Sequence, residues 1–177
     1  MTDRPVLVTD RLELWRPQAS DEPELFALMQ APGVWRHFGR PAERADHVTR
    51  FLRNAGSWPL HGYGSFAVRL RDQQPLIGNC GVFYSWRGLG EDFDDRPEAG
   101  WIVGEAYFGQ GIAHEAMAAI LEWFDHTQGP REVVAMIAPA NVPSIRLAGK
   151  LGFVPTRLAQ LPATAEDVQL FQRAPGG

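Results

Sequence analysis

A mixed α/β (α+β) domain is predicted by three stretches of this 177-residue sequence. Residues Glu98 to His126, EAGWIVGEAYFGQGIAHEAMAAILEWFDH, read as a strand that passes through a glycine-bearing turn into a helix. Phe66, Val68 and Leu70 alternate with Ala67 and Arg69, and beyond Asp72 to Gln74 the chain returns through LIGNCGVFY, which is the pattern of a hairpin. Residues 133–138, VVAMIA, are apolar throughout, as a strand buried on both faces requires.

In chain order, Leu12 and Leu14 alternate with Glu13 and Trp15, so Leu7 to Arg16 read as one half-buried strand. Ser20 stands where an N-cap belongs before DEPELFALMQ, with acids in the first turn and Pro23 early, and this helix runs to about Met29. Pro32 and Gly33 break it. Trp35, Arg36, His37 and Phe38 then crowd a junction that is either a packed loop or the wall of a substrate cleft. A second helix follows from about Ala42 to Asn54, with Val48, Phe51 and Leu52 on one face, and the chain leaves it by Trp58, Pro59 and the glycines of HGYGS.

Residues 86–97, WRGLGEDFDDRP, are polar and lack apolar periodicity, so an exposed loop is expected. Its carboxylates, Glu91, Asp92, Asp94 and Asp95, are either a solvated surface or a means of steering a cationic amine toward a cleft. The helix after Gly111 buries Ile112, Ala113, Ala116, Met117, Ile120, Trp123 and Phe124 at helical spacing. Pro139 ends the 133–138 strand, Asn141 supplies an N-cap, Pro143 sits just inside the next helix and Gly152 stops it. FVPTRLA and VQLFQR make the last two strands.

A hydrophobic content of 45% suffices for a full core, and no linker composition divides residues 1–177, so one domain is expected. The net charge of −4, with Lys and Arg scattered, argues against a nucleic-acid partner. Cys80 is the single cysteine, which excludes an intrachain disulfide and a thiol metal cluster; without a base signature beside it, it reads as a buried structural thiol. MTDRPVLV lacks the apolar core of a secretion signal, and no apolar run approaches the ~20 residues of a membrane helix, so a soluble cytoplasmic protein is expected. No metal-ligand motif or nucleophile elbow occurs.

Gly109 and Gly111 remove two Cβ atoms at the start of a helix, where backbone N–H groups and the helix dipole favour a phosphate or pyrophosphate. A Walker loop is excluded, because Ile112, Ala113 and His114 stand where Lys and Ser or Thr would be needed. A dinucleotide fingerprint would need a small residue at position 114 and an earlier strand. A tight turn without a ligand is the plain alternative.

The segment FGQGIA, followed by HEA and, about thirty residues later, by ANVPSIRLAGKLGF, resembles the acetyl-CoA-binding core of the GNAT superfamily of N-acetyltransferases. It is most similar to the branch containing the ribosomal-protein N-terminal acetyltransferases. The family loop, Gln/Arg-x-x-Gly-x-Gly/Ala, falls on Phe108, Gly109, Gln110, Gly111, Ile112 and Ala113, with an aromatic first residue. The resemblance runs from TDRLELWRP to the turn at Gly152 and Phe153. It implies a mixed, mostly antiparallel sheet of about seven strands with flanking helices, split between the strands at Glu98–Val103 and 133–138.

The same resemblance implies acetyl-CoA as cosubstrate, no metal, and an amine acceptor, and it leaves a homodimer open. It implies that Phe108 to Ala113 and His114 hold the pyrophosphate, that Ile102 and Val103 pair with the pantetheine and polarise the thioester oxygen through backbone amide, and that Asn141 touches the pantetheine arm. A tyrosine that often protonates the leaving thiolate is Ala148 here; Ser144, one helical turn earlier, is implied instead, with a backbone-bonded serine as the alternative. Glu98 is implied to take the amine proton through water, although an exposed strand-start glutamate needs no such role; His37 and His61 are alternative bases. Trp35, Arg36, His37 and Phe38 are implied to cover the acceptor. The expected function is acetyl-CoA-dependent N-acetylation of a protein N-terminus, an aminoglycoside or another small amine; a non-catalytic acyl-CoA-binding module or sensor is the alternative.

Overall fold

The computed structural model describes residues 4–38 and 40–176. Its elements are β1 (Leu7–Val8), β2 (Leu12–Trp15), α1 (Asp21–Met29), α2 (Pro32–Trp35), α3 (Arg44–His61), β3 (Ser65–Leu70), β4 (Leu76–Tyr84), β5 (Pro97–Val103), α4 (Ile112–Gln128), β6 (Val133–Ile137), α5 (Val142–Lys150), β7 (Val154–Gln160) and β8 (Asp167–Arg173). Short 3₁₀ turns occupy Arg36–Phe38 and Glu105–Tyr107. The described strands form one eight-stranded sheet in the order β1-β2-β3-β4-β5-β6-β8-β7. Every neighbouring pair is antiparallel except β5 and β6.

Helices cover both faces because the strands are apolar on both. From α4, Ile112, Ala116, Met117, Ile120 and Phe124 pack against Phe66, Val68, Cys80 and Val82. On the other face Leu25 and Met29 of α1 and Phe51 of α3 meet Ala67 and Leu76. Neighbours such as Phe66 and Ala67 thus serve opposite cores, as strand alternation requires.

Several expectations are corrected. The single strand expected over Leu7 to Arg16 is two strands, which raises the count from about seven to eight: Thr9 N–H donates to Leu12 O at 2.9 Å, while Thr9 Oγ1 accepts from Leu12 N–H at 3.0 Å, turning the chain. Pro32 and Gly33 start the one-turn α2 as well as ending α1, since proline is tolerated at a first helical position. The helix expected to end near Asn54 continues to His61. Pro59 lies in its last turn, where the lost donor costs one bond, and Gly62, at φ 79, closes the helix by donating to Trp58 O at 2.9 Å.

The acidic loop is not simply exposed. Leu89 and Phe93 are buried with Val134, Val168 and Leu170. Asp94 is buried as well, its carboxylate accepting from the N–H groups of Arg87 at 2.8 Å, Gly88 at 3.1 Å and Gly90 at 2.9 Å. Two apolar residues too few to show a period were enough to anchor the segment. No helix among the described residues is long and apolar enough to cross a membrane.

Candidate active site

β5 and β6 touch in register only at Glu98↔Val134. Beyond that pair β5 continues along β4 to Val103 while β6 continues along β8, so a wedge opens between the two parallel strands. Gly104 N–H donates to Ile77 O at 2.8 Å, and the register runs Gly78↔Val103, Asn79↔Ile102, Cys80↔Trp101. Antiparallel ladders alternate bonded and non-bonded pairs, so Ile102 spends its N–H and C=O on β4, whereas those of Trp101 and Val103 point into the wedge. Of the expected pair Ile102 and Val103, then, Val103 offers backbone groups to the open edge, joined by Trp101, and Ile102 offers a side chain.

The loop after β5 is built for close approach. Gly109 and Gly111 have φ of 72° and 77°, a left-handed conformation that disfavours any side chain. Space does not demand them: an added Cβ would meet nothing within 4 Å at Gly109 and only the Arg11 guanidinium, at 3.5 Å, at Gly111. The left-handed turn therefore leaves open room beside the first-turn N–H groups of α4, which have no carbonyl a turn earlier to bind. Arg11 braces the turn, donating to Gln110 O at 2.9 Å and to Glu115 Oε2 at 2.6 Å, and Thr9 Oγ1 donates to Glu115 Oε1 at 2.6 Å. Burial alone would raise the Glu115 carboxyl, but hydrogen bonds from Thr9 and Arg11 and the Arg11 charge hold it below the ordinary range.

Within this loop Phe108 is 43% exposed, Gln110 donates to Ala106 O at 2.8 Å, Ala113 is half-buried and Ile112 is buried in the core, so Ile112 can contribute only backbone. His114 lies apart from the wedge, lining a separate cavity of about 560 Å³ with Glu122, Lys150 and Gly152.

The wedge opens into a cavity of about 610 Å³, on which Glu98, Trp101, Ile102, Asn141 and Ser144 converge. Asn141 caps α5, its Oδ1 accepting from Ser144 N–H at 3.2 Å. Ser144 Oγ accepts from Trp101 Nε1 at 3.2 Å. Glu98 is not an exposed strand-start residue: it is 3% exposed, gripped by Arg87 Nε and Nη2 at 2.9 and 2.8 Å, and accepts from Ser85 Oγ. Arg36, His37 and Phe38 line the cavity, whereas Trp35, half-buried in α2, does not.

A family model for the acetyltransferase (GNAT) domain matches residues 11–154. The chain belongs to the GNAT family. An uncharacterised N-acetyltransferase of Bacillus subtilis (strain 168), YnaD, is 37% identical over 87 residues, which are 49% of this chain and 48% of that one. A protein assigned to the same family from Bordetella pertussis superposes with a TM-score of 0.83 at 32% identity, covering 97% of this chain and 100% of that one. The fold is shared too by RimL, a ribosomal L7/L12 alpha-N-protein acetyltransferase in complex with coenzyme A, with a TM-score of 0.72 at 17% identity over 96% of this chain and 97% of that one.

For a GNAT acetyltransferase, the titratable side chains sort clearly. Burial pushes the fully buried Cys80 thiol up to about 12, against a smaller opposing hydrogen bond with Ile102 backbone, so it is no nucleophile at neutral pH. His61 stacks on Tyr84 with ring centroids 4.4 Å apart and does not line the cavity. His37 does, and burial, then the Arg36 charge, lower its pKa and keep its imidazole neutral. Trp101, Arg50, Arg53 and Arg87 all reach the cavity of this GNAT protein without having been singled out in the sequence. Arg50 and Arg53 carried a signal, since residues three apart share a helix face. Trp101 carried none, because alternation puts it on the face opposite Glu98.

Proposed function

We propose that this GNAT protein transfers the acetyl group of acetyl-CoA directly to a primary amine held in the 610 Å³ cavity. One observation carries the reading: the unpaired edge of β5 runs from the cavity to the left-handed turn at Gly109 and Gly111, a path suited to an extended thioester arm ending in a pyrophosphate. The N–H groups of Trp101 and Val103 pair with the arm and polarise the thioester oxygen. The amine nitrogen attacks the carbonyl carbon, a C–N bond forms and the C–S bond breaks. Ser144, whose hydroxyl accepts from Trp101, keeps its O–H to hydrogen-bond the departing thiolate, which takes its proton from solvent.

The amine proton goes to His37, directly or through water, because a neutral imidazole is the form that accepts it. Glu98, with Arg87 and Ser85 on its carboxylate, acts as a positioning residue that ties β5 to the loop after β4. The test is thiol release from acetyl-CoA with an amine panel. Release that depends on the amine is expected; tight coenzyme A binding with no release for any amine would identify a binding module instead.

A further inference from the structure

The cavity wall built from the 3₁₀ turn Arg36–Phe38, α3 and the loop after β4 is cationic. Arg36, Arg50, Arg53 and Arg87 line it together with His37 and His47. Arg87 is neutralised by Glu98. Among the described residues, no carboxylate lies within ion-pair distance of Arg36, Arg50 or Arg53; their partners are the Gly33 carbonyl at 3.2 Å, the Met29 thioether at 2.7 Å and the Asn54 amide oxygen at 3.3 Å. A thioether is a weak acceptor for a guanidinium. The acid of α3, Asp46, is 3.7 Å from Arg40 and reaches Arg50 through its charge, without ion-pair contact.

The charges oppose one another. Burial, then the charges of Arg53 and Arg87, hold Arg50 below the ordinary guanidinium range against a smaller opposing effect of Asp46, and burial with Arg87 does the same to Arg53 against a smaller opposing effect of Glu98. His37 and His47 are lowered by burial and then by Arg36 and Arg50 respectively. The other carboxylates at the cavity, Glu166 at the end of the β7–β8 connection and Asp167 at the start of β8, accept from Thr164 and Gln160 respectively. In the acidic loop Asp92 is held by Arg157 at 2.8 Å and Asp94 by backbone N–H groups, and none of Glu91, Asp92, Asp94 and Asp95 lines the cavity. Arg50 is half-buried while Arg36 and Arg53 are exposed, and like charges gathered at one cavity with no carboxylate in ion-pair contact repel one another in the free protein and gain charge-assisted bonds once an anion joins them.

We propose that the acceptor is an amine bearing an oxyanion, a carboxylate or a phosphate, which Arg50 and Arg53 bind while the amino group faces Ser144. The proposal deepens the acetyl-transfer reading and rests on it. Met29, Phe38, Phe51 and Phe83, also at the cavity, suit an apolar body between the two ends, as in an apolar α-amino acid. A polycationic amine such as an aminoglycoside is disfavoured.

The experiment compares amines matched in pairs: L-phenylalanine and L-methionine against their amides, and phosphoethanolamine against ethanolamine. The oxyanion-bearing member of at least one pair is expected to exceed the partner lacking the oxyanion by about tenfold or more in kcat/KM, the scale of a charge-assisted hydrogen bond, and the pair that responds separates carboxylate from phosphate. Arg53→Gln, at an exposed position, and Arg50→Gln should each erase most of that preference through the acceptor KM, with the KM for acetyl-CoA unchanged. Equal or better use of the members lacking the oxyanion throughout, or a preference that survives both substitutions, overturns the proposal.

A second measurement does not depend on turnover. N-acetyl-L-phenylalanine, N-acetyl-L-methionine and N-acetylphosphoethanolamine, each against its uncharged counterpart, are titrated calorimetrically into protein saturated with coenzyme A. Anion-selective binding lost in the Arg variants, without thiol release from any amine, would sink the acetyl-transfer reading and leave the oxyanion site standing. Thiol release with no selectivity within any pair would do the reverse. No binding of any anion and no charge-selective turnover would overturn the oxyanion site.

Discussion

The indole Nε1 of Trp101 donates to Ser144 Oγ at 3.2 Å, joining β5 to α5 beside the wedge that β6 leaves open. A serine hydroxyl has one donor and two acceptor positions, and the indole fills an acceptor, so the O–H is left to point elsewhere. The helix start does not need Ser144 Oγ, because Asn141 is the cap.

Ser144→Ala should therefore reduce kcat modestly, by about 10–100-fold, since a thiol with a pKa near ~8.5 leaves tolerably without help. Melting temperature and coenzyme A affinity should barely change. Measured on one preparation, a lost melting temperature with unchanged kcat would remove Ser144 from the reaction and make it a structural residue.

Gly111→Val forces a β-branched residue to φ 77°, at a cost of roughly 1–3 kcal/mol, and places its methyl groups beside the helix N-terminus. Coenzyme A affinity should fall by more than about tenfold, as a lost set of charge-assisted bonds would produce. Gly129→Val, at φ 74° beyond the far end of α4, is the control: it should lose stability and keep coenzyme A affinity. Unchanged affinity in Gly111→Val by calorimetry would remove the pyrophosphate from this loop.

Glu98→Gln leaves Arg87 partly uncompensated in a largely buried pair. The expected destabilisation is about 2–4 kcal/mol, somewhat below the usual figure for such pairs because the Arg87 side chain keeps 19% exposure. Removing both partners should recover part of it. A normal melting temperature combined with a kcat/KM that falls at low pH and recovers at high pH would instead make Glu98 the base.

His37 has a lowered pKa, so its neutral form persists below the ordinary ~6.5. Activity should hold through neutrality and fall only as pH drops through that lowered value, when the imidazole is protonated. His37→Gln should abolish this acid limb in kcat/KM and cost about 100-fold at neutral pH. An unaltered pH profile would assign proton removal to solvent.

Glu115, whose carboxyl is held below its ordinary value, contributes stability that is fully present above the unfolded value of ~4.3 and is lost as pH falls through the folded one. The melting temperature of Glu115→Gln should be lower at neutral pH and less sensitive to acid than that of the native protein. Parallel melting curves across pH 3 to 6, on the order of this titration range, would show that the Thr9 and Arg11 bonds contribute nothing.

What the sequence determined by itself is what short-range geometry decides. Gly109 and Gly111 were legible because a left-handed turn at a helix start leaves few alternatives to glycine, Asn141 because a cap is a local hydrogen bond, and α4 because its apolar residues recur on one face. The family resemblance added the split sheet and a role for Ser144. Only the tertiary structure decided the rest. Whether Glu98 is exposed depends on Arg87 and Ser85, whose approach is a matter of how a loop folds back and leaves no periodic trace. Thr9 broke a seemingly continuous strand because its hydroxyl and backbone bond Leu12 together, and Leu89 and Phe93 sank a polar loop by finding β6 and β8. The cationic wall arises where α3 brings Arg50 and Arg53 toward Arg87 from a distant loop: a local pattern reports which face a residue occupies, whereas the charge of a site is set by which faces meet.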